Sequence, residues 1–483
     1  MTCPLAPRVR AWQRPIVTIA TIVLASSSAS SQGVDRSRPP QAPAARRIVF
    51  PSVHMPTVLS NGLRIYVVED HSVPVVSVRV VMAADSTFDP AGKEGLYAVT
   101  LGALAEGTSS RSADQLAAAA ADIGTRVTPA GFTTTTALFP RALALLADML
   151  VRPSLDSAAV QRRKAVQSAL ARRVAQSPVT IPRHLFYAML YGTDAPYVRS
   201  LVPSEASVAS ITTSDAAALY ASQFRPDRTS IVIAGDVEGA DAVRQAGRAF
   251  ESWLGHGAVA APLEKAAVAA RPTAIYLYDA PGPQAYVYVG AAGPARTSPD
   301  SYAADAMGAI ALVRFQQALR DRRSFMYSGA TGFTWRRASR PSAFVGSTVV
   351  AASKVDSALV EWLAILRGLR GAAPISATEL AAAQRSRVGA LAARMDGADS
   401  LSARLAEIVR DSLPLDYWDR YAARLSTLTT RDVAAAATRV IDPEHLVIVV
   451  VGDRNVIEPA LRAANIAPVV VVDASGRPLA PER

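Results

Sequence analysis

At 483 residues, half of them apolar but only 6% aromatic, the chain is too long for one ordinary core and suggests two or more domains built from alanine-rich helices. Its one cysteine, Cys3, precedes the first apolar run, so the rest of the chain has no disulfide and no thiol chemistry. A formal charge of +11 would attract acidic peptides, anionic surfaces or an acidic partner; the basic residues are mainly arginines scattered along helices, which reads as a solvated surface, and no basic block interleaved with aromatics argues for nucleic acid.

Residues 1–31 read as a secretory signal, with Arg8, Arg10 and Arg14 ahead of the apolar run from Ile16 to Ala25 and the small residues Ser27-Ser28-Ala29 as a cleavage site. Cleavage would lower the formal charge from +11 to +8 and leave no stable membrane span, with a periplasmic or secreted product; an uncleaved N-terminal anchor is the alternative. Residues 32–47, carrying Pro39, Pro40 and Pro43, read as a disordered lead-in.

A first domain is expected over 48–256. It opens with Leu59-Ser-Asn61-Gly62, where Asn-Gly is a hairpin turn leading into the alternating strand Leu63 to Val68. Val75 to Val81 is a second strand. Ser112-Ala-Asp-Gln115 is a capping box that starts a helix closed by Gly124. Thr133 to Phe139 reads as a Thr-rich strand and Ala142 to Leu150 as a helix, together an α+β layer with helices on one face of an antiparallel-rich sheet.

The end of this half recurs at the end of the chain. Thr213-Ser-Asp215, a helix, Phe224-Arg-Pro226, a strand and Gly235-Asp236 match Thr430-Arg-Asp432, a helix, Ile441-Asp-Pro443, a strand and Gly452-Asp453. The interval from the first Asp to the last is 21 residues in both, and the two copies lie 217 residues apart, a period suited to a duplicated domain and too long for a solenoid. Residues 257–272, Ala-rich with Pro262, read as a linker, 273–475 as the second domain and 476–483 as a tail.

Metal chemistry finds little support in the residues. The five histidines, His54, His71, His184, His256 and His445, have no partner at ligand spacing; His71 reads as a hairpin-tip residue and His445 as a turn residue. There is no Gly-x-Ser-x-Gly and no P-loop.

The stretch from Gly92 to Thr108, with Gly95-Leu96, an apolar helix and Glu106-Gly107-Thr108, resembles the zinc-site helix of the M16 (insulinase, pitrilysin) metallopeptidases. That family reads G-L-A-H-x-x-E-H-x-x-x-x-G-T, with two His on one helical face holding zinc and the Glu as general base. Laid on this chain the His positions fall on Ala98 and Gly102 and the Glu on Leu101. The family's third ligand, a Glu on a following helix, falls near Leu170, in a stretch that carries Arg162, Arg163, Lys164, Arg172 and Arg173 and no Asp or Glu between Asp156 and Asp194. Further matches in order, Asn61-Gly62-Leu63, Gly235-Asp236, Pro281-Gly-Pro-Gln284, Thr378-Glu-Leu380 and Gly452-Asp453, extend the resemblance over about 48–475.

The resemblance implies two homologous M16-type domains in a clam-shell, each a mostly antiparallel sheet covered by helices, and a chain that has lost its metal. It also implies a substrate-binding pair: Leu319-Arg320-Asp-Arg-Arg-Ser-Phe-Met-Tyr327 resembles the family's L-R-x-K-R-G-x-x-Y, whose Arg and Tyr reach a substrate carbonyl. The same residues also suit a solvated helix-end cation and a half-buried strand tyrosine. The family's Gly-rich loop before this segment is shortened to Ile310-Ala-Leu-Val-Arg314-Phe315, and the Gly before the Tyr is absent. The expected function is a catalytically inactive M16-like subunit without a cofactor, paired with a zinc-bearing H-x-x-E-H subunit or with itself, and handling a peptide substrate. The alternatives are a structural or peptide-binding protein with no peptidase assembly, and an autonomous zinc peptidase with unorthodox ligands, for which no grouped lone-pair donors exist.

Overall fold

The computed structural model describes residues 50–479 apart from 52, 54, 176, 178, 256–267, 269, 270, 338 and 339. The signal and lead-in expectations, most of the linker, the last tail residues and His54 and His256 lie outside the described residues. No helix among the described residues is long and apolar enough to cross a membrane.

Both halves are built around their last long strand. In the first, β1 (Thr57–Val58), β2 (Arg64–Glu69), β3 (Val75–Met82), β4 (Gly131–Thr135) and β5 (Thr229–Gly235) lie in the order β1-β2-β5-β3-β4. β5 is parallel to β2 and antiparallel to β3. In the second, β6 (Ala274–Asp279), β7 (Gln284–Ala295), β8 (Met326–Thr334), β9 (Pro341–Ala351), β10 (Val447–Gly452) and β11 (Val469–Val471) lie in the order β11-β6-β10-β7-β9-β8. Here β10 repeats the scheme, parallel to β6 and antiparallel to β7. Every residue of β5 and of β10 is buried, as suits runs that are apolar on both faces.

The approach to each central strand repeats as well. Thr212 and Thr429 close reciprocal capping boxes with Asp215 and Asp432 at the starts of helices Thr213–Gln223 and Thr430–Val440. A short 3-10 turn follows in each, Pro226–Arg228 and Pro443–His445, so His445 is a turn residue. His71 is not at a hairpin tip: β2 and β3 flank β5 instead of pairing, and His71 lies in their connection, its Nδ1 2.8 Å from Asp236 Oδ1. Asn61-Gly62 does turn β1 into β2, with Gly62 at φ +87°. The Thr-rich strand stops at Thr135, four residues earlier than the composition suggested, because Pro140 sits in the first turn of helix Phe139–Val151 and draws the chain into helical geometry.

Each sheet has two covered faces, and the second cover comes from the other half. Ile231 and Ile233 of β5 face the first half's own helices, while Val232 and Ala234 face Leu401, Leu405 and Ile408 of helix Gly397–Asp411. Reciprocally, Ile448 and Val450 of β10 face the second half's helices, while Val447, Val449 and Val451 face Leu185, Phe186 and Met189 of helix Thr180–Tyr191. The Phe186 ring lies on the backbone of β7, where a Cβ on Gly290 would stand 2.9 Å from its Cζ. The halves are interlocked by this exchange of helices.

A second glycine shows how tightly the sheet is packed. A Cβ on Gly346 of β9 would stand 1.7 Å from Cζ2 of Trp362, whose indole is buried against Phe315 with ring centroids 3.9 Å apart. Gly346→Ala is therefore expected to lower stability by about 2–3 kcal/mol through overpacking. Urea denaturation followed by tryptophan fluorescence checks it; an unchanged midpoint would show that Trp362 has somewhere to go.

Candidate functional site

Helix Leu96–Ala103 is positioned by a carboxylate that lies outside it. Gly95, its N-cap at φ 101°, has no side chain to cap with, and the buried Asp89 does so instead: Oδ2 accepts from the Gly95 N–H at 2.9 Å and Oδ1 from the Tyr97 N–H at 2.7 Å. Burial pushes the Asp89 carboxyl up to about 6, against the pull of those two N–H groups. The helix leaves through Gly107, at φ 154°, and Thr108, whose Oγ1 donates to Oδ2 of the buried Asp148 at 2.8 Å. Asp148 also takes Arg111 at 2.6 Å and Arg152 at 3.1 Å. The glycines and the Thr of the frame thus have structural work that is independent of any metal.

The chemical positions converge as well. The helix packs against Ser157–Ala175, which brings Ala98 and Leu170 to the wall of one cavity of about 310 Å³ with Gln167, Ala171, Val174 and Leu201. Leu101 turns partly into the first core. Gly102 faces Arg163: a Cβ there would stand 2.9 Å from Arg163 Cδ and 3.3 Å from its Nε. The guanidinium of Arg163 is anchored on Glu106, Nη2 to Oε1 at 2.6 Å, and Arg162 takes the other oxygen, Nε to Oε2 at 2.7 Å.

Zinc does not fit this arrangement. A methyl, an isobutyl group and a hydrogen stand at Ala98, Leu101 and Gly102 and a second isobutyl at Leu170; Gly102 faces the cation of Arg163, and the carboxylate in the cavity wall, Asp89, accepts from the Gly95 and Tyr97 N–H groups. Among the described residues no three His, Cys, Asp or Glu side chains are grouped as metal ligands. Ala98, Leu101, Gly102 and Leu170 thus offer no lone pair to a metal and no base to activate water.

Arg320 lies in the turn of π-helix Gln316–Arg322 that continues helix Ser301–Phe315, exposed to solvent, with its carbonyl accepting from the Ser324 N–H at 3.1 Å. Tyr327 follows in β8, inside a bulge between Met326 and Gly329. The π-turn packs on its own helix, on β8 and on helix Val355–Arg367, whereas helix Leu96–Ala103 packs on Ser157–Ala175 and Thr213–Gln223. The cavity at Ala98 and Leu170 includes neither Arg320 nor Tyr327, and the two segments pack on different elements.

Arginine is used differently from the solvated surface its scatter suggested. Arg79 of β3 reaches Asp399 at 2.9 Å and Ser402 at 2.9 Å on the exchanged helix. Arg337 donates to the carbonyls of Met82 and Ala83 and stands 3.5 Å from Asp85. Arg336 is buried between the rings of Tyr191 and Tyr197, at 4.6 and 4.1 Å from their centroids. The signal that would have found them is the run Trp335-Arg336-Arg337 at the end of a strand.

Residues 210–387 match the family model of the Peptidase M16 inactive domain. The whole described fold is similar to the peptidase M16 inactive domain from Pseudomonas fluorescens, with 21% identity and a TM-score of 0.75 over 83% of this chain and 98% of that one. It is similar to a protease from Helicobacter pylori with 17% identity and a TM-score of 0.75, over 83% and 99%. A chain of complex III from Candida albicans shares the fold at 18% identity and a TM-score of 0.67, over 85% and 99%. No curated protein sequence matches the chain.

Proposed function

We propose that this chain, a non-catalytic member of the M16 peptidase family, works as the metal-free subunit of a peptide-processing pair whose other subunit carries an intact H-x-x-E-H, and that the pair acts in the periplasm. The observation that carries the reading is Arg163. An arginine anchored on Glu106 stands against Gly102, one of the former ligand positions, while Gly95, Gly107, Thr108 and Asp148 still hold the helix in place. A fold retained around a site that has lost its reaction fits a subunit that still has a surface to present.

That surface has two parts in this reading. Arg320, exposed to solvent, and Tyr327 supply N–H and O–H donors to a substrate carbonyl held at the partner's metal. The edge strands of the first sheet, β4 in particular, take an extended peptide by strand addition.

Mixing the purified chain with an H-x-x-E-H protein encoded beside it is expected to give a co-eluting complex that cleaves peptide at least tenfold faster than the partner alone. The double variant Arg320→Ala, Tyr327→Phe is expected to lower that stimulated kcat by about tenfold to a hundredfold with the complex intact. Unchanged partner activity together with separate elution contradicts the reading.

One observation favours a second reading, a structural or peptide-binding protein without a peptidase. Helix Ser301–Phe315 runs uninterrupted into the π-turn where the resemblance places a Gly-rich loop that approaches substrate. A complex that forms but is indifferent to the Arg320/Tyr327 double variant would select it.

A further inference from the structure

The interlock encloses a second cavity, of about 500 Å³, between the exchanged helix Thr180–Tyr191, the strands β7, β8 and β9, and the helices Ala377–Ala393, Gly397–Asp411 and Tyr417–Thr427. It shares no lining residue with the cavity at Ala98 and Leu170. Five guanidinium groups line it, from Arg183, Arg296, Arg387, Arg394 and Arg404, against two carboxylates, Asp305 and Glu407. A protein interior ordinarily matches buried charges one for one, because an unpaired charge is costly to desolvate.

The inner arginines share their carboxylates, and the unmatched charge sits at the mouth. Arg296, only 5% exposed, is held by Glu407 at 2.7 Å and by Asp411 at 2.8 Å; Arg404 shares the same Glu407, and Arg387 stands 3.3 Å from Asp305. Arg183 and Arg394 have no ion-pair partner among the described residues, and both are exposed, at the mouth. The excess is felt by its neighbours: burial lowers the Arg404 guanidinium, Glu407 raises it, and the positive charges of Arg394, Arg296 and Arg410 lower it again. Two hydroxyls in the wall, Ser301 Oγ and Thr331 Oγ1, are buried with no hydrogen-bond partner among the described residues. Tyr288, Trp335 and Trp418 complete the wall with aromatic surface.

We infer that this cavity binds a compact ligand with two or more clustered carboxylates, the acidic segment of a peptide, which the guanidinium forks and the Ser301 and Thr331 hydroxyls hold while the aromatic rings cover its aliphatic carbons. Planar guanidinium matches carboxylate with paired N–H donors, and a site of several hundred Å³ with apolar walls and a few converging polar groups is the usual form of a small-ligand pocket. The carboxylate chemistry stands on the cavity; the choice of a peptide as its source rests on the function proposed above.

Calorimetric titration of the full chain with triglutamate, trialanine, trilysine and citrate tests it. Triglutamate is expected to bind at least tenfold more tightly than trialanine or trilysine, and the affinity to fall as salt is raised. Arg183→Ala with Arg394→Ala is expected to weaken triglutamate at least tenfold. Arg439→Ala, an exposed arginine elsewhere that pairs with Asp300, is expected to change it less than twofold. Citrate binding as tightly as triglutamate supports the carboxylate site and removes the peptide as its source. No binding of triglutamate or citrate, equal binding of trialanine, or an unaffected double variant overturns the inference. The titration uses this chain alone, so its outcome and that of the partner assay are independent.

Discussion

The quadruple substitution Ala98→His, Leu101→Glu, Gly102→His and Leu170→Glu is expected to leave the chain without firmly held zinc, and adding Arg163→Ala is expected to tighten zinc binding by about a thousandfold. The four changes restore the ligands and the base the M16 frame calls for, on two helices that already pack in the required pairing. They do not remove the cation. Arg163 passes within 2.9 Å of where a Cβ on Gly102 would stand and is tied to Glu106 at 2.6 Å. A guanidinium about 5 Å from a divalent ion costs about 6–7 kcal/mol at an effective dielectric constant near 20, of which Glu106 offsets part. Competition with a chelating dye measures the affinity of both variants. Equal zinc affinity with and without Arg163→Ala would show that the arginine swings clear and that only the ligands were lost.

The exchange of helices carries the second large effect. Phe186→Ala is expected to lower the unfolding free energy by about 3–5 kcal/mol, the range for emptying a buried phenylalanine site. Its ring is fully buried on β7 and β10, set edge-on to Tyr187 with centroids 5.4 Å apart. The consequence reaches past the local core, because Phe186 belongs to the first half and the strands it covers to the second. Amide exchange is therefore expected to quicken in β5 as well as in β10, within one cooperative transition. Faster exchange confined to β10, or two separate transitions with only one displaced, would show that the halves are merely adjacent.

Much of this architecture was legible because it rests on short-range chemistry. The capping box at Ser112, the Asn61-Gly62 turn and the Gly-Asp ends of the two central strands each act within a few residues, and the recurrence of Thr213-Ser-Asp215 and Gly235-Asp236 217 residues later marks the repeat. The position of the central strands was not legible in the same way. Alternating apolar residues in β2 and β3 say that both are strands, not that β5, some 150 residues later, enters between them. The cover of the second faces was hidden for a related reason: the apolar run Leu185 to Tyr191 looks like any buried helix, and nothing local tells which half it serves.

The site was legible as an absence. Ala98, Leu101, Gly102 and Leu170 are visibly the wrong residues for a metal, and the basic stretch around Arg163 suggested a field hostile to one. That Arg163 stands against Gly102 was not legible, since an arginine on a half-exposed helix reads as solvated until the facing glycine is seen. The same blind spot hid Arg336 between two tyrosines and the arginines of the second cavity. Guanidinium groups tolerate burial against aromatic rings and shared carboxylates, and composition alone does not separate those from the ones in water.

The central claim is that Ala98, Leu101, Gly102 and Leu170 offer no group with which to hold a catalytic metal or activate water, and that no other described residues are grouped to do so. Elemental analysis of the purified chain, run beside a peptide-cleavage assay with and without a chelator, tests it most directly. The account predicts far less than one transition-metal ion per chain and no chelator-sensitive hydrolysis. One firmly bound ion per chain, with cleavage that a chelator abolishes, would contradict it.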